Sequence, residues 1–395
     1  MKNIINYLSI ISVLLSSIYF TIKLKFINYN FKKIITTIKN SNKEDIKALY
    51  MSLGAKIGVG SLAGTSLAIY LEGPGVLLWI YIISILSSIL TYCETYLGYI
   101  YNNKGVFNYI KKGLNNNTLS IVYTIILIFI YEIGFVGIQS NTIYKSLKEL
   151  NLIYNNLLII SIILIISILI FGNINTIINR ISKIVPIMSI LYISITIPLL
   201  LKINIIKTIT IIIEDGLNNN KLKKILIAGL QRGIFATESG LGTSSIASTI
   251  SNNKENQALF QVLGTHFITI IITITGLIII NNQNNYIGKI NGIEILINTF
   301  NNYYGITGKV LICIIIFLFA ISTILSSYFF TLKGINFLNN RKDKNNNQIK
   351  IIIILFSLIG ILVKSSVIWS IIDILILFLL IINIFTMLKL NKQIK

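Results

Sequence analysis

The chain reads as an all-α polytopic membrane protein with about eleven transmembrane helices. Three observations predict this. Of its 395 residues, 54% are hydrophobic and only 12% are charged. The mean hydropathy is +0.80. The apolar runs have the length, about 20 residues, that a helix needs to cross the hydrocarbon core. Together these describe more apolar surface than a soluble core of this length buries. An unpaired backbone polar group in hydrocarbon costs several kcal/mol, so spans must be helices or closed barrels. A barrel would show alternating segments of about ten residues, and none are visible.

The first run, residues 4–22, has the length of a signal peptide. No small-residue cleavage site follows it, and Lys23 to Lys33 form a positive flank, so it is read as a retained helix. The next runs fall at 48–71, 75–101, 119–144, 152–171, 181–201, 225–250 and 257–281. A longer connection at 282–306 contains Ile293 to Phe300, a candidate surface helix. The last three runs are 307–335, 349–365 and 367–389. Between runs lie Asn- and Lys-rich connections such as Asn115 to Asn117 and Asn339 to Gln348.

The net charge of +21 does not mark a nucleic-acid binder, because the basic residues sit in short tracts between apolar runs and form no stripe or domain. Their distribution instead orients the chain. With the N-terminus outside, the tracts Lys23 to Lys47, Lys104 to Lys112, Arg180 with Lys183, Lys254, Lys333 to Lys350 and Lys389 to Lys395 are cytoplasmic. They carry about 21 of the 34 basic residues, against about 11 on the outer side. The C-terminus is then cytoplasmic, and the expected location is a bacterial inner membrane. One connection runs against the rule: Lys202, Lys207, Lys221, Lys223 and Lys224 fall outside, offset only by Glu214 and Asp215. Cys93 and Cys313 both lie inside apolar runs, so neither a disulfide framework nor a thiolate metal site is implied.

Two spans carry glycine clusters in their middles: Gly58-Val59-Gly60-Ser61-Leu62-Ala63-Gly64 in the second and Ser239-Gly240-Leu241-Gly242-Thr243-Ser244-Ser245 in the seventh. Glycine weakens a helix interior by about 1 kcal/mol relative to alanine, so two such clusters in lipid need a cause. One cause is close helix packing through small residues. The other is a pair of discontinuous helices, whose freed amides meet a substrate carboxylate and whose freed carbonyls coordinate a cation. Interruptions at matching positions of two halves point to the binding site of a secondary transporter. On this reading residues 1–46 form an extra N-terminal helix with its basic connector, and 47–202 form a first five-helix repeat. Residues 203–224 are an inter-repeat loop, and 225–395 are a second, inverted repeat.

At these residues the chain resembles the alanine or glycine:cation symporter family, the bacterial sodium/alanine symporters. Gly58 to Gly64, then Gly73-Pro74-Gly75, Trp79 and Glu94, are similar to the family's GxGNIAG, GGPG, tryptophan and glutamate in the same order. The run from Arg232 through Thr243 is similar to the family's RGLFSNEAGLGS. Weaker echoes are Gly105 with Tyr109, Gln139 with Asn141, Ser322-Thr323-Ile324-Leu325, and Trp369, Asp373 and Asn383. The resemblance covers nearly the whole chain. It implies a leucine-transporter-like fold of five-plus-five inverted repeats with one extra helix, sodium as the co-transported ion, and alanine or glycine as substrate. Departures are Lys56 for an arginine, Ser61 and Thr237 for asparagines, Ser327 for a tryptophan, and no aspartate near His266 to Thr269.

A buried zwitterion needs both charges answered. Amides around Gly58, Gly60, Ser61 and Gly64 are candidates for the carboxylate, with the positive end of the following half-helix behind them. Thr237, Ser239, Gly240, Gln139 and Asn141 are candidates for the ammonium. By resemblance to the sodium site of this fold, carbonyls of Gly54 and Ile57 would meet the hydroxyls of Ser322 and Thr323. Lys56, Glu94, Arg232, Glu238 and Asp373 are candidate gating or structural charges. Glu132 either pairs structurally or lines an aqueous cavity, and His266, the only histidine, is read as a hydrogen-bonded interior residue. The partners expected are a small neutral amino acid, sodium and the lipid bilayer, with no nucleic acid. An enzyme reading lacks parts: no P-loop, no metal-ligand cluster, no nucleophile with its base. The alternatives left open are a proton- or cation-coupled carrier of another small solute, and a non-transporting membrane sensor or degenerate scaffold.

Overall fold

A computed structural model describes residues 2–102, 105–151, 154–282, 292–340 and 346–395, without the side chains of 2–6, 254 and 255. The basic positions expected at Lys104 and at 341–345, and part of the 282–306 connection, lie outside the described residues. Among the described residues every regular element is helical. Six helices are long and apolar enough to cross a membrane, and three shorter apolar ones accompany them. The remaining two spans are interrupted helices, which completes the expected eleven.

Helix α1 (Lys2–Lys23) leads through a short turn to α2 (Phe31–Lys39), which buries only Ile34 and Thr37. The first interrupted span is α3 (Lys43–Lys56) followed by α4 (Thr65–Glu72), and α5 (Val76–Ile100) returns beside it. Asn42 and Asp45 form a reciprocal cap that starts α3. Asp45 also accepts from the Ser251 hydroxyl, from Asn253 at 3.1 Å and from Gln257 at 3.0 Å. Those bonds pin the start of the first interrupted span to the end of the second.

The one-turn α6 (Val106–Asn108) precedes a long span made of α7 (Asn117–Ile128), a π-helical stretch at Phe129–Phe135, and α8 (Val136–Lys148). Then follow α9 (Asn155–Ile170) and α10 (Ile174–Lys202). Helix α10 begins seven residues before the expected start of its span. Residues 203–224, expected as a loop, contain α11 (Ile205–Gly216), an amphipathic helix that buries Thr208, Ile212 and Gly216. It is held to the start of α5 by Gly75 N–H on Asp215 at 2.9 Å and by Trp79 Nε1 on the Gly216 carbonyl at 2.9 Å.

The second interrupted span is α12 (Leu222–Thr237) and α13 (Thr243–Ala247). Helix α14 (Lys254–Asn281) follows, then α15 (Ile293–Leu338), which kinks at Gly305 (φ 63°, ψ −153°). The helix expected at 293–300 is thus the first limb of α15. Helices α16 (Asn347–Leu362) and α17 (Ser365–Lys389) end the chain. Lys23 donates to the carbonyl of Asn391, and the Tyr92 hydroxyl donates to the Lys395 carbonyl at 3.0 Å. The starts of α3 and α14 and the C-terminus therefore share one face of the bundle, called the C-terminal face below. The two interrupted spans cross in opposite directions. His266, expected in the interior, is only half-buried; it bonds to the Asn28 carbonyl at 2.8 Å and packs on Phe31 and Tyr29. Cys93 and Cys313 are free and buried.

Candidate functional site

Helix α3 stops because Ile57 leaves helical geometry (φ −81°, ψ 56°), and the chain resumes as a wide π-helical turn, Gly60–Gly64. Two approaches require glycine here: a Cβ on Gly58 would overlap the Thr323 hydroxyl, and one on Gly60 would overlap the Phe235 ring. The freed backbone is partly answered by side chains. Val59 N–H donates to Gln139 Oε1 at 3.0 Å, and the Ser61 hydroxyl turns back to the Gly58 carbonyl at 2.7 Å. The other end of the Gln139 amide is buried beside Gly58 and has no hydrogen-bond partner.

Helix α12 stops at Thr237 because Glu238 takes the left-handed conformation (φ 51°, ψ 20°), and Gly240 and Gly242 follow at φ 82° and 79°. Glu94 of α5, fully buried, accepts the N–H of Gly242 at 2.8 Å and of Ser244 at 3.2 Å. It thereby answers orphan donors at the start of α13, where a negative charge is favoured. Asn383 donates to Glu94 at 3.3 Å and to the Gly240 carbonyl at 2.8 Å, and accepts from the Tyr109 hydroxyl at 2.5 Å. The Tyr123 hydroxyl donates to the Leu241 carbonyl.

The two breaks meet. Lys56, buried at the end of α3, donates to the Thr265 hydroxyl at 3.1 Å; Thr265 lies 3.2 Å from the Thr91 hydroxyl, and Thr91 donates to Ser239 at 3.0 Å. Lys56 also faces the charges of both Glu94 and Glu238. On the other side, Phe235 stacks on Phe135 (4.6 Å, 5°) and packs on Trp369 (4.6 Å), directly over Gly60. Arg232 pairs with Asp373 at 2.8 Å and lies 4.2 Å over the Trp369 ring. Beyond Trp369, on the face opposite the C-terminus, opens a vestibule of about 410 Å³ bordered by Leu67, Asn141, Lys145 and Lys364. The aromatic trio and the ion pair thus separate this vestibule from the breaks.

The hydroxyls of Ser322 and Thr323 reach the Gly54 carbonyl at 3.1 and 2.9 Å, and Thr323 also lies 3.4 Å from the Ala55 carbonyl. Three of the four groups expected around sodium therefore converge. Ile57, the fourth, sits in the non-helical link with its N–H on the Leu53 carbonyl at 2.6 Å.

Not every expected residue reaches the breaks. Asn141 gives its amide to the carbonyls of Gly360 and Val363 at 2.9 and 3.1 Å, tying α8 to α16. Thr237 does reach the second break: its hydroxyl back-bonds to the Gly233 carbonyl at 2.8 Å and accepts the Ser239 N–H at 3.4 Å. Gly64 lies at the edge, in ordinary contact range of Trp369 and Arg232. Glu132 is buried with Oε1 unpaired. Sequence reasoning did not single out Phe235, Phe135, Thr91, Thr265 or Tyr131. Phe235 carried a signal, since it lies within the motif preceding the second break. The others stand in unbroken apolar runs that nothing distinguishes.

Residues 1–395 match the model of the sodium:alanine symporter family. Among curated relatives, a probable sodium/glutamine symporter, GlnT of Bacillus subtilis, is 27% identical over 98% of this chain and 86% of its own. The amino-acid carrier protein AlsT of the same bacterium is 27% identical over 90% and 81%. A sodium/proton-dependent alanine carrier protein of Bacillus sp. strain PS3 is 24% identical over 87% and 84%. Among solved structures, a substrate-bound, outward-open sodium-coupled sialic acid symporter aligns with a TM-score of 0.51 at 16% identity, covering 94% of this chain and 82% of that one. That likeness establishes a fold of the leucine-transporter type. The chain belongs to the sodium:alanine symporter family, membrane carriers, not enzymes, that move an amino acid together with sodium.

Proposed function

We propose that the amino acid carried is small and neutral, alanine or glycine, and that it occupies the space between the breaks at Gly58–Gly64 and Glu238–Gly242. The observation that carries this is the fit of Gly60 against Phe235, itself wedged between Phe135 and Trp369. Beside so tight an aromatic lid only a small side chain has room. The unpaired Gln139 amide nitrogen supplies a donor for the carboxylate. The ammonium falls to Ser239 and to the oxygens of the second break.

Sodium would replace the hydroxyl-to-carbonyl bonds at Gly54, Ser322 and Thr323 with oxygen coordination, joined by the Ile57 carbonyl. Residues 47–202 and 225–395 act as inverted repeats, a reading supported by the opposite directions of the two interrupted spans. Access alternates when the interrupted spans rock against the remaining helices. The membrane is a bacterial inner membrane, with the C-terminal face in the cytoplasm. Coupling follows if sodium favours the state that holds the amino acid tightly.

Proteoliposomes with an inward sodium gradient should accumulate labelled alanine or glycine and leave leucine outside. Glutamine uptake of equal strength would overturn the size argument, and the glutamine symporter among the relatives makes it the essential competitor in the panel. Uptake driven by a proton gradient without sodium would overturn the coupling. In the same assay Thr323→Ala should raise the sodium concentration for half-maximal uptake about tenfold, the scale of one lost ligand to a charge. An unchanged sodium dependence would remove Thr323 from the ion site.

A further inference from the structure

We propose that the carboxylate of Glu238, with the hydroxyls of Tyr131 and Thr243, forms a second sodium site, apart from the one at Gly54, Ser322 and Thr323. All three side chains are fully buried, and both carboxylate oxygens and both hydroxyls lack a hydrogen-bond partner. They are nevertheless one another's neighbours: the Tyr131 and Thr243 hydroxyls lie within hydrogen-bonding reach of the Glu238 carboxylate and of each other, with no aligned bond closed between them. Four oxygens gathered in a dry interior without aligned hydrogen bonds among them are costly as they stand. A hard monovalent cation at their centre would satisfy all four.

The local charges ask for the same ion. Among the described residues Lys56 is the one cation that interacts electrostatically with both Glu94 and Glu238, and its single charge can balance only one of them. Glu94 already accepts two backbone N–H groups and the Asn383 amide. Glu238 is the carboxylate left over, with neither oxygen bonded. It also stands at the C-terminal end of α12, where the helix dipole favours positive charge. The ligands are placed by rigid neighbours. The Tyr131 ring stacks on Phe135 at 4.7 Å and meets Phe330 edge-on at 5.1 Å, while Thr243 is the first residue of α13. Tyr131 belongs to the π-helical stretch Phe129–Phe135, whose extra residue per turn re-aims its hydroxyl toward the break.

The inference rests on sodium coupling but not on which amino acid is carried, so the test is equilibrium binding of radioactive sodium to purified protein without amino acid. The wild type should bind two ions per chain, Glu238→Gln should bind one, Thr323→Ala should bind one at the wild-type affinity and one about tenfold more weakly, and the double variant should keep only the weakened one. Tyr131→Phe keeps the ring packing and removes one oxygen, so it should weaken one of the two binding events about tenfold. Gel filtration of each variant reports folding. If Glu238→Gln still binds as many ions as the wild type, or if the wild type binds only the one ion that Thr323→Ala weakens, the second site does not exist. Glu238→Gln abolishing alanine binding with an unchanged sodium count would make Glu238 the receptor of the substrate ammonium, and would equally overturn the proposal.

Discussion

Replacing Gly60 with leucine is expected to abolish uptake while leaving the protein in the membrane at a normal level. Even the first added carbon would overlap the Phe235 ring. That ring cannot slide away freely, because it is stacked parallel on Phe135 and packed against Trp369. Overpacking a core costs about 1–3 kcal/mol, a sum that a domain with about 5–15 kcal/mol of stability survives. The strain is therefore absorbed locally, either by expelling Phe235 from the stack or by pushing the leucine into the space between the breaks. Both outcomes destroy the site. Uptake should fall roughly a hundredfold or more, equivalent to more than about 2.7 kcal/mol of lost binding. Gly64→Ala is the matched control: its Cβ would meet Trp369 at 3.4 Å, an ordinary contact, so uptake should stay within a few-fold of wild type. Normal transport by Gly60→Leu would mean that the aromatic lid does not cover the binding site.

The features legible in the sequence were those that lipid enforces. Spans must be apolar and helical, so the eleven runs stood out, and two glycine clusters could not hide in such surroundings. Amphipathic segments were harder to read. Helix α11 carries Lys207, Glu214 and Asp215 among isoleucines, a mixture that reads as a connection, whereas it folds as an amphipathic helix held to the start of α5. Helix α10 starts at Ile174 through a polar turn containing Arg180, whose guanidinium bonds back to the carbonyls of Leu169 and Phe171.

Within the site, Gln139 and Asn141 looked equivalent, yet residues two apart on a helix point about 200° away from each other. Only one could face the break. Which one does is decided by the π-helical stretch at Phe129–Phe135, which shifts the phase of everything after it and has no reliable mark in the sequence. The convergence of Tyr131, Thr243 and Glu238 is likewise a product of three separate elements.

Glu94→Ala is expected to be the most destructive single change in the chain, and through stability before transport. The substitution leaves the N–H groups of Gly242 and Ser244 without their acceptor in a fully buried place, and Asn383 keeps only its bond to the Gly240 carbonyl. Each orphaned donor costs about 1–3 kcal/mol, and Lys56 loses one of its two counter-charges, a further penalty of the kind that makes broken buried pairs cost about 3–5 kcal/mol. Against a total stability of about 5–15 kcal/mol, this removes a large fraction. The variant should accumulate poorly, melt well below wild type in detergent and show no uptake. Glu94→Gln keeps one accepting oxygen but turns an NH₂ group toward a backbone donor, so it should accumulate better and still melt lower. Glu238→Gln is the informative contrast: it takes the other counter-charge from Lys56 but from a side chain that accepts no aligned hydrogen bond, so its melting temperature in sodium-free buffer should fall less than that of Glu94→Ala. If Glu94→Ala proved as stable as wild type, the carboxylate would not be what holds the second break open, and the geometry of Gly240 and Gly242 would need another cause.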